Sequence, residues 1–152
     1  MKISTKGRYA IRIMLDIAQN GADKRVSLKD IARRQEISVK YMEQIIGQLC
    51  KAGMLKSTRG AQGGYALTKQ PAQYSIGEIL RITEGELVPV ACLEGEENAC
   101  PRREFCATLG FWEGLYETIN QYVDRFSLQD LLEEEKKGCC CEKRLDELES
   151  LE

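Results

Sequence analysis

The chain has 152 residues, enough for one domain with an appended element, and 43% of them are hydrophobic, an ordinary share for a globular core. No apolar run approaches the roughly 18 residues of a membrane span, and Met1-Lys2-Ile3-Ser4-Thr5-Lys6 lacks the apolar stretch of a signal peptide, so the expectation is a cytoplasmic protein without membrane contact. Histidine is absent, which excludes every His-based nucleophile–base pair and every imidazole metal ligand.

The net charge of −2 conceals an asymmetry. Residues 1–69 hold 14 Lys/Arg against 5 Asp/Glu, and residues 70–152 hold 8 against 19. A basic half suits a polyanion; an uneven solvated surface is the alternative that charge alone leaves open. Seven cysteines without a secretion signal favour metal binding or redox chemistry over disulfides.

In chain order, Ala10, Ile13, Met14, Ile17 and Ala18 recur at helical spacing and predict a helix over 5–20, stopped at Asn20-Gly21. Ser27 is placed to cap a short helix with Asp30 in its first turn and Leu28, Ile31 and Ala32 inward. A break falls at Gln35-Glu36-Ile37. Ser38 then caps a second helix running to about Ala52, with Met42, Ile45, Ile46 and Leu49 as its buried stripe. Residues 54–58 and 65–68 read as two strands around Arg59-Gly60-Ala61-Gln62-Gly63-Gly64, a hairpin with a basic tip. Ser75-Ile76-Gly77-Glu78 is a capping box for a helix to about Thr83.

Residues 85–107 are interrupted by Gly85, Pro89, Gly95 and Pro101 and contain three of the cysteines. Beyond them, Trp112, Leu115, Tyr116, Ile119, Tyr122, Val123 and Phe126 recur at steps of three and four, with sevenfold spacings that fit a heptad seam. Ser127 opens a further short helix. The charged remainder, with Cys139-Cys140-Cys141, reads as a tail without its own core; exposed thiols and metal capture are its two readings.

Two short helices joined by a tight turn and followed by a hairpin describe a winged helix-turn-helix. The fold class is therefore mainly α with a small β-hairpin wing, followed by a long dimerisation helix. The second helix combines one apolar face with one of hydrogen-bonding side chains, as an element entering the major groove requires. Lys40 near its start suits phosphates, while Tyr41, Glu43 and Gln44 suit base edges: Gln favours adenine, and Glu accepts from cytosine N4. Arg59, beside Gly60 at the hairpin tip, suits a minor groove. A winged helix used only for protein contacts is the alternative.

Three separated stretches carry a more specific resemblance: Lys2-Ile3-Ser4-Thr5-Lys6-Gly7-Arg8-Tyr9-Ala10, Ile37-Ser38-Val39-Lys40-Tyr41-Met42-Glu43-Gln44, and Arg59-Gly60-Ala61-Gln62-Gly63-Gly64-Tyr65. In this order they resemble the IscR/NsrR/CymR family of regulators, over roughly residues 1–134. The resemblance implies a homodimer that binds pseudo-palindromic double-stranded DNA operators. It also implies that Ser38, Tyr41, Glu43, Gln44 and Arg59 face the duplex.

Cys92, Cys100 and Cys106 lie together in the interrupted loop. Thiolates are soft ligands and iron–sulfur clusters commonly take several of them, yet spacing alone is equally compatible with zinc, thiol redox chemistry or buried thiols. Their position resembles the cluster loop of the IscR and NsrR branches and implies an iron–sulfur cluster, 2Fe–2S by that resemblance with 4Fe–4S as the other form. Where the IscR branch has a His three residues after the last cysteine, this chain has Leu109; where NsrR-like members use an N-terminal Asp, it has Arg8. Neither side chain ligates, so the fourth ligand is unassigned.

The organisation read from the sequence is a winged helix-turn-helix over 1–84, a cysteine-containing loop over 85–107, a dimerisation helix and short following helix over 108–134, and a charged tail over 135–152. The functional expectation is a DNA-binding transcription regulator, a repressor sensing iron–sulfur status, and not an enzyme. The alternatives are a cysteine- or nitric-oxide-responsive regulator of the same family and a protein-interaction module.

Overall fold

Ser4 starts the first helix: its hydroxyl accepts from the Lys6 amide at 3.1 Å, and α1 runs from Thr5 to Asn20. The computed structural model describes residues 2–21, 24–60, 62–95, 98 and 100–137. Ala10, Ile13, Met14 and Ile17 of α1 are buried at the centre of the fold, against which α2 (Leu28–Gln35), α3 (Val39–Lys51) and α4 (Ile76–Glu84) pack. Each start has a physical cause. Ser27, Ser38 and Ser75 each accept a backbone N–H three residues on, supplying a partner that the first helical turn lacks. The Ser75 box is only half formed: Ser75 accepts from the Glu78 amide, while the Glu78 carboxylate lies 4.0 Å from Lys69 Nζ.

The hairpin forms from β1 (Leu55–Thr58) and β2 (Gly64–Leu67), antiparallel, with Leu55 opposite Leu67 and Thr58 opposite Gly64. Val26 adds a one-residue bridge to Tyr65 on the free edge of β2. Gly64, at φ +157°, allows this approach: a Cβ there would stand 2.6 Å from the Val26 carbonyl oxygen. Architecture and order are those of a winged helix-turn-helix.

After the cysteine loop, α5 (Leu109–Arg125) leans on α4, and α6 (Leu128–Lys136) returns to α1. The return is pinned: Ile76 N–H donates to the Phe126 carbonyl and Leu128 N–H to the Tyr74 carbonyl, both at 2.9 Å. Leu128 and Leu132 are buried, so α6 belongs to the winged-helix core, while α5 has no fully buried residue. The predicted seam divides into two stripes. Trp112, Tyr116, Ile119 and Val123 are half-buried, whereas Leu115 and Tyr122 are exposed, as is Phe111, which the predicted seam did not include. Phe126 takes extended backbone beyond the last turn of α5. The tail predicted over 135–152 starts later than expected, because α6 continues to Lys136; its residues 138–152, with Cys139–Cys141, lie outside the described residues. Among the described residues, no helix is long and apolar enough to cross a membrane.

Two carboxylates hold α1 at its ends. At the start, Glu84 accepts from Gly7 N–H at 2.7 Å and from the Ser4 hydroxyl at 2.6 Å. Burial works against the Glu84 charge, but these donors and nearby Lys6 outweigh it and hold its pKa below the ordinary value. Gly7 is part of the fit, since a Cβ there would stand 2.6 Å from Glu84 Oε1. Further along, Asp16 is 1% exposed and accepts from Arg34 Nε at 2.9 Å, Arg34 Nη2 at 2.6 Å and Gln35 Nε2 at 2.9 Å.

The Asp16–Arg34 pair is asymmetric, because the Arg34 side chain is 33% exposed while Asp16 is enclosed. Removing the arginine leaves the buried carboxylate without its counter-charge and with Gln35 as its remaining side-chain donor. Arg34→Met is expected to cost about 3–5 kcal/mol in a urea titration. A loss below about 1 kcal/mol would mean that Asp16 is rehydrated in the variant and that the pair does not clamp the two helices.

Candidate nucleic-acid interface and cysteine loop

The outer face of α3 carries Ser38, Lys40, Glu43 and Gln44, all exposed. The opposite face, Met42, Ile45, Ile46 and Leu49, is fully buried. This division follows from helical periodicity, and it leaves a row of polar side chains projecting from a rigidly seated helix. Ser38 has a second duty, since its hydroxyl accepts from Tyr41 N–H and caps the helix. Tyr41 differs from its neighbours. It is half-buried, and its ring meets Tyr9 edge to face at 5.9 Å, while Arg12 lies 5.2 Å from the Tyr9 ring centre.

Arg12 also ties α1 to the turn before α3. It donates to the Gln35 side-chain oxygen at 3.0 Å and to the Gln35 carbonyl at 2.6 Å. The next residue, Glu36, takes left-handed backbone (φ 54°, ψ 41°) and donates its N–H to the Ala32 carbonyl. That conformation costs a non-glycine residue about 1 kcal/mol, so the flanking contacts must hold it.

Arg59 and Gly60 sit at the wing tip, both exposed; the Gly60 carbonyl accepts from Gly63 N–H at 2.9 Å, closing the turn. The wing is anchored by a side chain that the sequence reading passed over. Tyr74 is fully buried, and its hydroxyl donates to the Met54 carbonyl at 2.9 Å while accepting from the Thr68 and Lys69 amides at 2.9 and 2.8 Å. Its signal was its place: an aromatic residue just before the Ser75 cap, with Ile79 buried one turn inside the helix, is a hydrophobic-staple pattern. Asp16 was missed for a related reason, as a charged residue standing within an otherwise apolar helical face.

The cysteine loop leaves α4 at Gly85 and is tied to the core by buried Leu87. It contains two short 3-10 turns, Ala91–Leu93 and Arg103–Phe105. Cys92 lies in the first, Cys106 closes the second, and Cys100 sits between; all three are free and half-buried. Hydrogen bonds from Thr108, side chain first and then backbone, hold the Cys106 thiol pKa below its ordinary value, with Arg102 adding to the effect. Among the described residues, no three Cys, Asp or Glu side chains converge on one point. As donors the three thiols suit an iron–sulfur group, but the loop does not gather them. Cys50, near the end of α3, is half-buried against the core, and burial pushes its pKa up.

The family described as Rrf2, iron-dependent transcriptional regulator, matches residues 3–134. The chain belongs to the Rrf2 family. One relative, Protein rrf2 of Nitratidesulfovibrio vulgaris, is 42% identical over 132 residues, covering 87% of each chain. Among solved structures, CymR, described as the global cysteine regulator of B. subtilis, superposes with a TM-score of 0.71 at 38% identity, covering 88% of this chain and 97% of that one. IscR of T. potens gives 0.69 at 38% identity, covering 88% of both. Membership of the Rrf2 family makes this chain a transcription regulator rather than an enzyme.

Within the Rrf2 frame, the anchoring of the wing by Tyr74 is testable. Tyr74→Phe removes the hydroxyl that accepts from the Lys69 amide and should cost about 1–2 kcal/mol. Hydrogen exchange at Thr68 and Lys69 should quicken by more than at the α3 amides, which follow the global stability. Unaltered exchange at both positions would show that the hydroxyl does not hold the wing.

Proposed function

We propose that this Rrf2-family regulator is a homodimeric repressor that binds pseudo-palindromic DNA and senses iron–sulfur status through its cysteine loop. The observation that carries the reading is the place of the three thiols. Cys92, Cys100 and Cys106 occupy the one segment joining α4, which braces the DNA-binding core, to α5, whose Phe111, Leu115 and Tyr122 stand exposed. An exposed apolar stripe on a helix with its own half-buried face suits a second copy of the chain.

Each part follows from chemistry at named atoms. Gln44 and Glu43 would read base edges from the exposed face of α3, with Tyr41 set in place by Tyr9. Lys40 and the α3 N-terminus would meet phosphates, and Arg59 would enter the adjacent minor groove beside Gly60. Cys92, Cys100 and Cys106 would hold the cluster, which supplies a redox- and iron-dependent reason for the loop to be gathered. Gathering the loop would shift α5 relative to α4, and with it the spacing of two recognition helices. The depressed Cys106 pKa favours the thiolate that ligation requires.

A second reading is a regulator of cysteine metabolism that works without a cluster. The superposition on CymR supports it, because that structure is described as a cysteine regulator and matches as closely as the IscR structure does.

Anaerobic purification with iron and acid-labile sulfide quantified separates the two. The iron–sulfur reading predicts both in equal amounts, absent from Cys92→Ser, and a different duplex affinity for loaded and cluster-free protein. Colourless protein without sulfide, binding duplex equally well under all conditions, would contradict it and favour the cysteine reading.

A further inference from the structure

Behind the wing lies an open groove of about 920 Å³ that the recognition helix does not account for. The last turn of α1 forms its floor, and the chain at residues 24–25 and the hairpin form its walls. Four of its lining side chains are cationic, Lys24, Arg25, Lys56 and Lys69, and none of the described lining residues is acidic.

Register explains which way the groove faces. Lys56 pairs with Ala66, so the two project from one face of the hairpin, while Tyr65 and Ser57 project from the other. Tyr65 is half-buried beside Glu43 and Cys50 of α3. The Lys56 face is therefore turned away from the recognition helix. On the free edge of β2, Val26 exchanges both backbone hydrogen bonds with Tyr65, at 3.0 and 2.9 Å, which brings the preceding Lys24 and Arg25 to the same groove. Among the described residues, Lys24, Arg25 and Lys56 make no ion pair; Lys69 shares Glu78 at 4.0 Å. Glu78 beside Lys69 and Asp30 near Lys24 offset only part of this charge; the remaining like charges repel one another, and an anion relieves that repulsion.

Gln62 and Gly63 of the wing tip line this groove too, so it continues the face that carries Arg59. A wing tip directed at a minor groove has one backbone strand on its α3 side and the other on its far side. We propose that the groove seats phosphates of this far strand, extending duplex contact beyond the base pairs under α3. The proposal rests on the DNA-binding reading above. Its contacts would be independent of sequence and would appear in the salt dependence of binding.

The test uses a duplex selected from a random library by the wild-type chain, in a long form and a form trimmed at its flanks. The variant is Lys24→Gln with Lys56→Gln, both exposed and unpaired among the described residues. Lys69 is left alone because its ammonium lies 5.7 Å from the Tyr74 ring centre. On the long duplex, the slope of log affinity against log salt should become shallower by about 0.9 for each phosphate that the variant leaves unneutralised, about 1.8 per bound subunit. Between 50 and 200 mM salt, the affinity of the wild type should then fall by about 12-fold more per subunit than that of the variant. Base preferences should not change, and trimming should bring the wild type to the variant's slope. Equal slopes on the long duplex would overturn the groove and leave the α3 reading standing. Pyrophosphate that raises the wild-type melting temperature but not the variant's, with equal slopes, would also overturn it, in favour of a small-anion site. A wild type that binds no duplex would overturn both readings.

Discussion

The angle between α1 and the helix-turn-helix rests on the buried carboxylate of Asp16. It receives two hydrogen bonds from Arg34 and one from Gln35, at the end of α2. Arg12, one turn earlier in α1, holds the Gln35 carbonyl as well. The very next residue is Glu36, left-handed and without the glycine that such a turn favours. Polar contacts from one helix thus converge on the two residues that precede a strained turn. Since α3 begins two residues after Ile37, its direction relative to the core is set there. Enclosure makes this arrangement sharp: a carboxylate so little exposed has no water to replace a missing partner.

From that corner the frame extends through α1 to α4. Glu84 closes the N-terminal turn of α1 and is also the last residue of α4, immediately before the cysteine loop. One turn back in α4, Arg81 donates to both oxygens of Asp124, at 2.8 and 2.7 Å, and to Asn120 at 2.6 Å. Gly77 lies under this contact, and a Cβ there would run into Asp124. The loop with its three thiols therefore starts directly after a pinned residue and ends on α5, a helix that α4 holds only at its far end. A rearrangement within it has few ways to dissipate before reaching α5 or α1, which gives physical content to the proposed coupling between loop and duplex.

Much of the fold was legible because local signals agreed with the global answer. Ser27, Ser38, Ser75 and Ser127 each cap the helix expected of them, and the glycine-rich stretch after Arg59 forms the wing. What escaped was the tertiary information. A spacing of seven along α5 could not distinguish one seam from two neighbouring stripes, because adjacent helical faces share the same period. Only packing against α4 shows that Ile119 and Val123 turn inward while Phe111 and Tyr122 do not. Tyr41 was expected to face the duplex, yet its half-burial depends on Tyr9, which is distant in sequence. The cationic groove needed strand register and the Val26 bridge before its charges could be seen as one surface. The three loop cysteines were legible as chemistry but not as geometry, since a loop broken by Gly and Pro has no period from which to place a side chain.

The whole account depends on a recognition helix and wing presented to duplex DNA at a fixed angle, twice. Footprinting a duplex selected by the intact protein tests that most directly. The account predicts two protected blocks related by symmetry, their centres about one helical turn apart, 10–10.5 base pairs, or a whole multiple of it. A single short protected block, or two blocks at a spacing unrelated to the helical turn, would contradict it.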